Sequence, residues 1–269
     1  MTAVGVGLAV GSLAHGTLYE RHHIEITRSP LPVVGLDAAL AGVRVGLITD
    51  THHSDFTSAA FIGHAVALLQ AEQPDLIVLG GDYVTQRDRR FISPSAEAFA
   101  PLSAPHGVFG ILGNHDDDSD VPRALQRSGV TVLRDARTTL RIHGAPLDLI
   151  GLRYWSRDRA TLARLADGAS RSTLLLAHDP RRFTDAEALG LPAVLSGHTH
   201  GGQVRLPLLG AVAARKFPLA AGLLNSGTTA LFVSRGIGTV YLPCRVNCPP
   251  EVAVLTLEAA PVAAGRQRV

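Results

Sequence analysis

The sequence predicts an α/β layered fold, and three observations carry that prediction. Short apolar runs of strand type alternate with segments of helical periodicity. The runs are continuously apolar, which marks strands buried on both faces. Five of them end in polar clusters of Asp, Asn or His, and open α/β sheets bind ligands beyond the carboxyl ends of their strands.

The elements follow in order. Thr2–Leu18 is uncharged, contains four glycines and is interrupted by His15. It falls short of the roughly 20 apolar residues of a spanning helix and lacks the basic start of a signal peptide. It reads as a short membrane anchor, a signal remnant or a buried helix. Arg21, His22, His23 and Arg28 follow, suited to a lipid headgroup surface or to solvent. Ser29-Pro30-Leu31-Pro32 reads as an extended linker, because each proline biases the residue before it away from helix. These features give an N-terminal hydrophobic segment and linker over 1–41, a folded domain over 42–260 and a tail over 261–269.

Within the domain, Val43–Thr49 reads as a strand ending in Asp50, and Ser58–Gln70 as a helix. Asp75–Leu79 is a strand ending in Gly80-Gly81-Asp82, and Ser93–Leu102 a helix. Val108–Leu112 is a strand ending in Gly113-Asn114-His115-Asp116, and Pro122–Ser128 a short helix. Strand-rich stretches lie near Val130–Leu133, Thr138–His143 and Leu147–Leu152, and Asp158–Ala166 is helical. Thr173–Ala177 ends in His178-Asp179-Pro180, and Ala193–Ser196 in Gly197-His198-Thr199-His200. Gln203–Leu257, rich in Gly, Pro and β-branched residues, reads as more strands.

Composition narrows the function. The 25 basic and 23 acidic residues leave +2, too balanced for a general nucleic-acid binder. With 46% hydrophobic and 18% charged residues the chain is not intrinsically disordered. Two Cys exclude a disulfide-built scaffold. Every basic residue but Lys216 is Arg.

Each polar cluster taken alone has an ordinary reading: Asp50 as a helix cap, Gly81-Asp82 and Gly113-Asn114 as turns, His178 as a satisfied structural residue. Together they are five strand ends all carrying metal-ligand types, a coincidence too large for independent causes. Carboxylate, imidazole and amide oxygen without thiolate suit Zn, Mn, Fe and similar ions. Asp50-Thr51-His52 and His198-Thr199-His200 place alternate residues on one side of an extended segment. Asp82 is the natural carboxylate to bridge two ions.

These motifs, in this order from Asp50 to His200, resemble those of the calcineurin-like metallophosphoesterases. Gly80-Gly81-Asp82-Tyr83-Val84, Gly197–Gln203, Arg235-Gly236-Ile237-Gly238 and Pro249-Pro250-Glu251 resemble a bacterial branch of membrane-associated or exported phosphodiesterases. That branch includes enzymes hydrolysing UDP-2,3-diacylglucosamine. The resemblance implies a four-layer α/β/β/α sandwich of two mixed sheets flanked by helices. It implies two divalent ions, Mn, Zn, Fe or Mg. One would be held by Asp50, His52, Asp82 and His200, the other by Asp82, Asn114, His178 and His198. His115 would act at the leaving-group oxygen and Asp116 would orient it. The implied reaction is hydrolysis of a phosphodiester or pyrophosphate bond by a hydroxide bridging the ions, in a small-molecule, lipid-linked or nucleotide-sugar substrate. The alternatives are a phosphomonoesterase or protein phosphatase on the same scaffold, and a non-catalytic interaction module. Placement would be membrane-associated or exported, with contact through residues 1–20; the alternative is cytoplasmic.

Some residues depart from the branch or stand apart. Thr51 replaces a common Leu and is expected to point away from the ions; His53 is an extra imidazole; Asp117-Asp118 add negative charge where an aromatic is common. Asp179 is a candidate to fix the His178 tautomer or to cap a helix. Arg205, Arg235 and Arg245 are candidates to grip a second phosphate, or plain surface residues. Trp155 is expected in the core. Cys244 and Cys248 read as exposed thiols, or as a local disulfide, and cannot complete a zinc tetrahedron alone.

Overall fold

The computed structural model describes residues 3–261. In chain order its strands are β1 (Glu25–Val34), β2 (Arg44–Ile48), β3 (Leu76–Leu79), β4 (Val108–Gly110), β5 (Thr131–Val132) and β6 (Ala136–Ile142). They continue with β7 (Ala145–Gly151), β8 (Thr173–Leu176), β9 (Ala193–Ser196), β10 (Gly222–Asn225), β11 (Ala230–Val233) and β12 (Glu251–Ala260). The helices are α1 (Ala3–Leu18), α2 (Ala59–Ala71), α3 (Ile92–Phe99), α4 (Asp120–Arg127), α5 (Arg159–Ala166) and α6 (Phe183–Ala188).

Two six-stranded sheets form, ordered β1-β12-β2-β3-β4-β5 and β10-β11-β9-β8-β7-β6. Both are mixed: β2 to β5 run parallel while β12 opposes β2, and β7, β8, β9 and β11 run parallel between two antiparallel edges. The strand period of two builds the layers. Val45, Leu47 and Val78 face Leu149, Leu174 and Leu195 between the sheets. Ile48, Ile77 and Leu79 turn the other way, onto Ile62, Val66 and Leu69 of α2 and Phe99 of α3. Ile150, Leu175 and Val194 meet Leu162 of α5 and Phe183 and Ala186 of α6. The result is the four-layer sandwich with helices outside both sheets.

The sequence-level picture needs three corrections. The expected linker is β1, paired with β12 from Glu25↔Glu251 to Val34↔Ala260. Its prolines are compatible because β1 is an edge strand. The Glu25 amide points to β12, donating to Pro250 O, so by alternation Pro30 and Pro32 sit where an N–H would face outward. Leu31 and Val33 are fully buried between the sheets. Second, Gln203–Leu257 holds only β10, β11 and β12; Pro207, Pro218, Pro243 and Pro249-Pro250 interrupt the rest as loops. Third, the polar clusters come from both sheets rather than one edge: β2, β3 and β4 belong to one sheet and β8 and β9 to the other.

α1 has 16 residues, and no helix among the described residues is long and apolar enough to cross a membrane. The buried-helix reading does not hold over its last turns, where Leu13 and Leu18 are exposed. The expected tail, 261–269, lies outside the described residues beyond Pro261.

Candidate metal centre

The five strand ends converge where the two sheets meet. Asp50 and His52 follow β2, Asp82 follows β3, Asn114 and His115 follow β4, His178 follows β8, and His198 and His200 follow β9. The turns that aim them are strained: Asp50, His52, Asp82, His198 and His200 all take positive φ, between 44° and 71°. Side chains of non-glycine residues are held in that region only by surrounding structure. The loops also pass very close to one another. A methyl group on Gly113 would overlap the Asp82 carboxylate, and one on Gly197 would overlap that of Asp50.

Three groupings of potential ligands have their donor atoms within 4.8 Å of one another: Asp50, His52 and His200; Asp82, His178 and His198; and His52, Asp82 and His115. Asp82 joins the sets, its Oδ2 lying 3.5 Å from His52 Nε2 and 3.1 Å from His178 Nε2. Asp50 Oδ1 lies 3.3 Å from His200 Nε2 and 3.9 Å from His178 Nε2. Asn114 stands beside them at the cavity wall. Its Oδ1 is buried without a hydrogen-bond partner among the described residues. His52 Nε2 faces His200 Nε2 at 3.1 Å. Converging imidazole lone pairs, two carboxylates and an orphaned amide oxygen form a donor set that a divalent cation satisfies.

Neighbouring backbone fixes the rings. His178 Nδ1–H donates to Gly80 O at 2.8 Å, leaving Nε2 for the site. His115 Nδ1 accepts the Gln86 amide N–H at 2.9 Å. In the neutral ring the hydrogen is therefore on Nε2. The Arg87 amide also donates to His115 O, at 2.9 Å. Gln86 and Arg87 are themselves left-handed, at φ 51° and 60°, so this strained turn clamps the ring. Asp50 accepts the His198 amide at 3.0 Å on both oxygens and the Thr49 hydroxyl at 2.7 Å.

Burial disfavours charge on His52, His200 and His198, lowering their pKa values to about 3, about 3 and about 4. Burial also opposes charge on His178, but Asp82 and Asp50 outweigh it and push that ring up to about 10. Burial would raise Asp82; His178 and His52 reverse this and hold its carboxyl well below the usual range. The low values of His52, His198 and His200 keep lone pairs on these rings for a cation.

Several expected roles are corrected. Asp116 does not orient His115. Its carboxylate accepts the amides of Asp82, Tyr83 and Gly113, each at 2.8 Å, and ties two strand-end loops together. Burial pushes its pKa up to about 7. Asp179 does not touch His178 Nδ1; it takes the capping option, accepting the Arg181 amide at 2.9 Å. Arg245 is fully buried and donates to the carbonyls of Cys248, Arg235, Gly236 and Gly238. The last two belong to the loop that supports Asp50, where Gly238 N–H donates to Asp50 O at 2.7 Å. Arg235 is engaged by Glu25 and Glu251 at 3.0 and 3.2 Å. Neither guanidinium is available to a second phosphate. Cys244 and Cys248 are buried free thiols, neither exposed nor bridged. Trp155 is partly exposed beneath the Arg87 guanidinium, outside the core.

The other departures are benign. Thr51 turns away to donate to Tyr83 O, and His53 is held by Phe91 O at 3.2 Å. Asp117 accepts the Ser119 amide at the start of α4, and Asp118 pairs with Arg153 at 2.7 Å. Residues that sequence reasoning missed include the Gly80 carbonyl, the Gln86 amide, and the rings flanking His198: Tyr154 at 5.5 Å and Phe217 at 5.2 Å between centroids. Backbone partners carry no residue-type signal, and Phe217 looks like any loop aromatic.

The centre opens into a cavity of about 620 Å³. Asn114, His115, His198 and His200 form one wall, and Val204, Leu206, Val212, Phe217 and Tyr241, with Lys216, the other.

Comparison with known proteins agrees with this geometry. The family model for calcineurin-like phosphoesterase matches residues 43–202. The chain is 29% identical to the uncharacterized metallophosphoesterase YkuE of Bacillus subtilis, over 96% of this chain and 93% of the relative. It is 32% identical to the phosphodiesterase YaeI of Escherichia coli, over 81% of this chain and 83% of the relative. Among solved structures, the NAD nucleotidase NadN of Haemophilus influenzae shares the fold, with a TM-score of 0.50 and 14% identity. That match covers 72% of this chain and 50% of the other. The chain belongs to the calcineurin-like phosphoesterase family and is a metal-dependent phosphoric ester hydrolase.

Proposed function

We propose that this protein hydrolyses phosphodiester bonds in small-molecule or lipid-linked substrates, using two divalent cations. Asp50, His52, Asp82 and His200 hold one, and Asp82, Asn114, His178 and His198 the other. The ions, when bound, neutralise phosphoryl charge and lower the pKa of water toward neutrality. Asp82 belongs to both sets, and its position between His52 and His178 is the observation that carries the reading. With oxygen and imidazole donors only, Mn, Zn, Fe and Mg are all compatible occupants.

His115 presents Nε2–H toward the cavity and supports the departing oxygen, since Gln86 occupies its other nitrogen. Asp116 holds the Asp82 and Asn114 loops in register and touches no substrate. The strained turns pre-set the donor geometry, so ordering is complete before substrate arrives. A diester preference is supported by the relative named as a phosphodiesterase and by the apolar wall facing the centre, which accommodates a second ester substituent.

The test is hydrolysis of bis(p-nitrophenyl) phosphate against p-nitrophenyl phosphate, after chelation and re-addition of Mn, Zn or Mg. Faster turnover of the diester is expected. Monoester turnover alone would move the reading to a phosphomonoesterase, and no turnover with any metal would overturn it.

A further inference from the structure

The segment beyond the metal ligands exposes apolar side chains that the chain itself leaves uncovered. Leu206 and Gly210 form a tight hydrogen-bonded turn, with Leu206 N–H to Gly210 O at 3.0 Å and the reverse bond at 2.8 Å. Pro207, Leu208 and Leu209 make its tip, and Leu208, at φ 66°, is fully exposed. Val212 is exposed on the same loop, and Tyr241 and Leu242 project from the neighbouring one, Tyr241 at 79% exposure. The two loops are tied: Gln203 donates to Leu242 O, and Arg205 N–H to Val246 O.

α1 extends this surface. Over its described last turns Gly16 is buried, its carbonyl accepting the Arg245 amide, while Leu13, Leu18 and Tyr19 are exposed. Among the residues whose exposure is described, nine of the twelve exposed large hydrophobic residues lie in α1 and its end, the 206–212 loop, and 241–242. Exposed apolar side chains concentrated on neighbouring, hydrogen-bonded segments mark an interaction site.

The charge pattern selects the occupant. From Ala188 to Pro250 the chain has no Asp or Glu, and Arg205, Arg215 and Lys216 are exposed beside the leucines. An apolar tip with Arg205, Arg215 and Lys216 on its own loop matches an anionic lipid surface, where acyl chains accept the leucines and headgroups the cations; the acidic groups nearest Tyr241, Asp55 and Asp88, are paired with Arg90. No described helix is long and apolar enough to span a membrane.

We propose that the 205–217 loop, the 241–242 loop and the exposed flank of α1 dock on an anionic lipid bilayer beside the cavity mouth. Leu206, Val212 and Tyr241 belong both to this surface and to the cavity wall. A docked molecule therefore opens its cavity at the headgroup level. That the delivered substrate is a phosphoester-bearing lipid rests on the phosphodiesterase reading; docking itself does not.

The test is flotation of the full chain with vesicles of phosphatidylcholine alone or containing phosphatidylglycerol, at low and high salt. The wild type is expected to float with the anionic vesicles and to be released by salt. The double variant Leu208→Glu/Leu209→Glu, outside the cavity lining, is expected to lose at least about tenfold in partitioning. It should keep hydrolysis of bis(p-nitrophenyl) phosphate unchanged. Should that variant misfold by circular dichroism, Leu208→Ser/Leu209→Ser replaces it. Wild type that stays behind, or a variant that floats equally well, overturns the proposal. So does a wild-type dimer, made monomeric by the variant, with no vesicle binding: the face would then belong to a second copy. Flotation needs no turnover, so loss of the phosphodiesterase reading leaves this result interpretable.

Discussion

Two halves of the site are built on opposite principles. The ligand wall, with Asp82, His115 and His200 at the cavity and Asp50 behind them, is buried; Asp50, Asp82 and His200 sit at strained positive φ, and hydrogen bonds between strand-end loops brace it. The facing wall, built from Val204, Leu206, Val212, Phe217 and Tyr241, sits on loops that also carry many exposed apolar residues. The first wall must hold several charges at fixed separation, which only crossing secondary structure achieves. The second must meet a substrate or surface from outside, which loops achieve. The proposed chemistry therefore falls where the sheets converge, and the proposed contacts with substrate where the loops project.

Breaking the first wall should have the largest effect. Asp82→Asn removes the carboxylate that the proposed function places in both ligand sets, between His52 and His178. Metal affinity should fall by at least about 100-fold, more than loss of an outer partner costs; metal content after dialysis checks this, and a variant retaining both ions would contradict the shared role. His115→Ala touches the same wall without touching the ions. It should keep metal content while turnover falls about 10²–10⁴-fold, and steady-state kinetics beside elemental analysis separates the two.

Arg245→Met tests what supports that wall. It removes the guanidinium from four carbonyls, of which Gly236 O keeps the Glu251 amide, a cost of about 2–4 kcal/mol in unfolding free energy. Denaturant titration measures it, and an unchanged midpoint would show that water replaces the guanidinium. Metal binding sharpens the comparison further. Saturating Mn or Zn should raise Tm by mass action on the native state, while proteolytic cleavage in 205–217 stays as fast as before. Protection of both regions would join what the structure separates.

The smallest effect belongs to the loop wall. Lys216→Ala should raise KM for an anionic diester a few-fold with kcat nearly unchanged, and the difference should shrink at high salt because the charge is exposed.

Much of this was legible in the chain. The strands preceding Asp50, Asp82, Asn114, His178 and His198 read directly from apolar runs that end in polar clusters, and the ordered motifs named the candidate ligands. The β1 strand was not legible, because Pro30 and Pro32 break a strand everywhere except along an outer edge, and edge position is a property of the sheet. Asp116 was misread because its neighbour in sequence is His115, whereas its carboxylate accepts the amides of Asp82 and Tyr83 on another loop and of Gly113 on its own. Arg245 looked like a surface cation because burial of a guanidinium depends on carbonyls supplied by Arg235, Gly236 and Gly238.

What the sequence determined by itself was local: residue types, their period and the turn at each strand end, which together specify the donor chemistry. Tertiary structure decided which of those donors meet, which carboxylate serves two imidazoles and which merely braces a loop, and which leucines stay uncovered. The reason is geometric. Periodicity fixes a side chain's direction relative to its own strand, but distances between strands come from the packing of two sheets, to which residues far apart in the chain contribute equally.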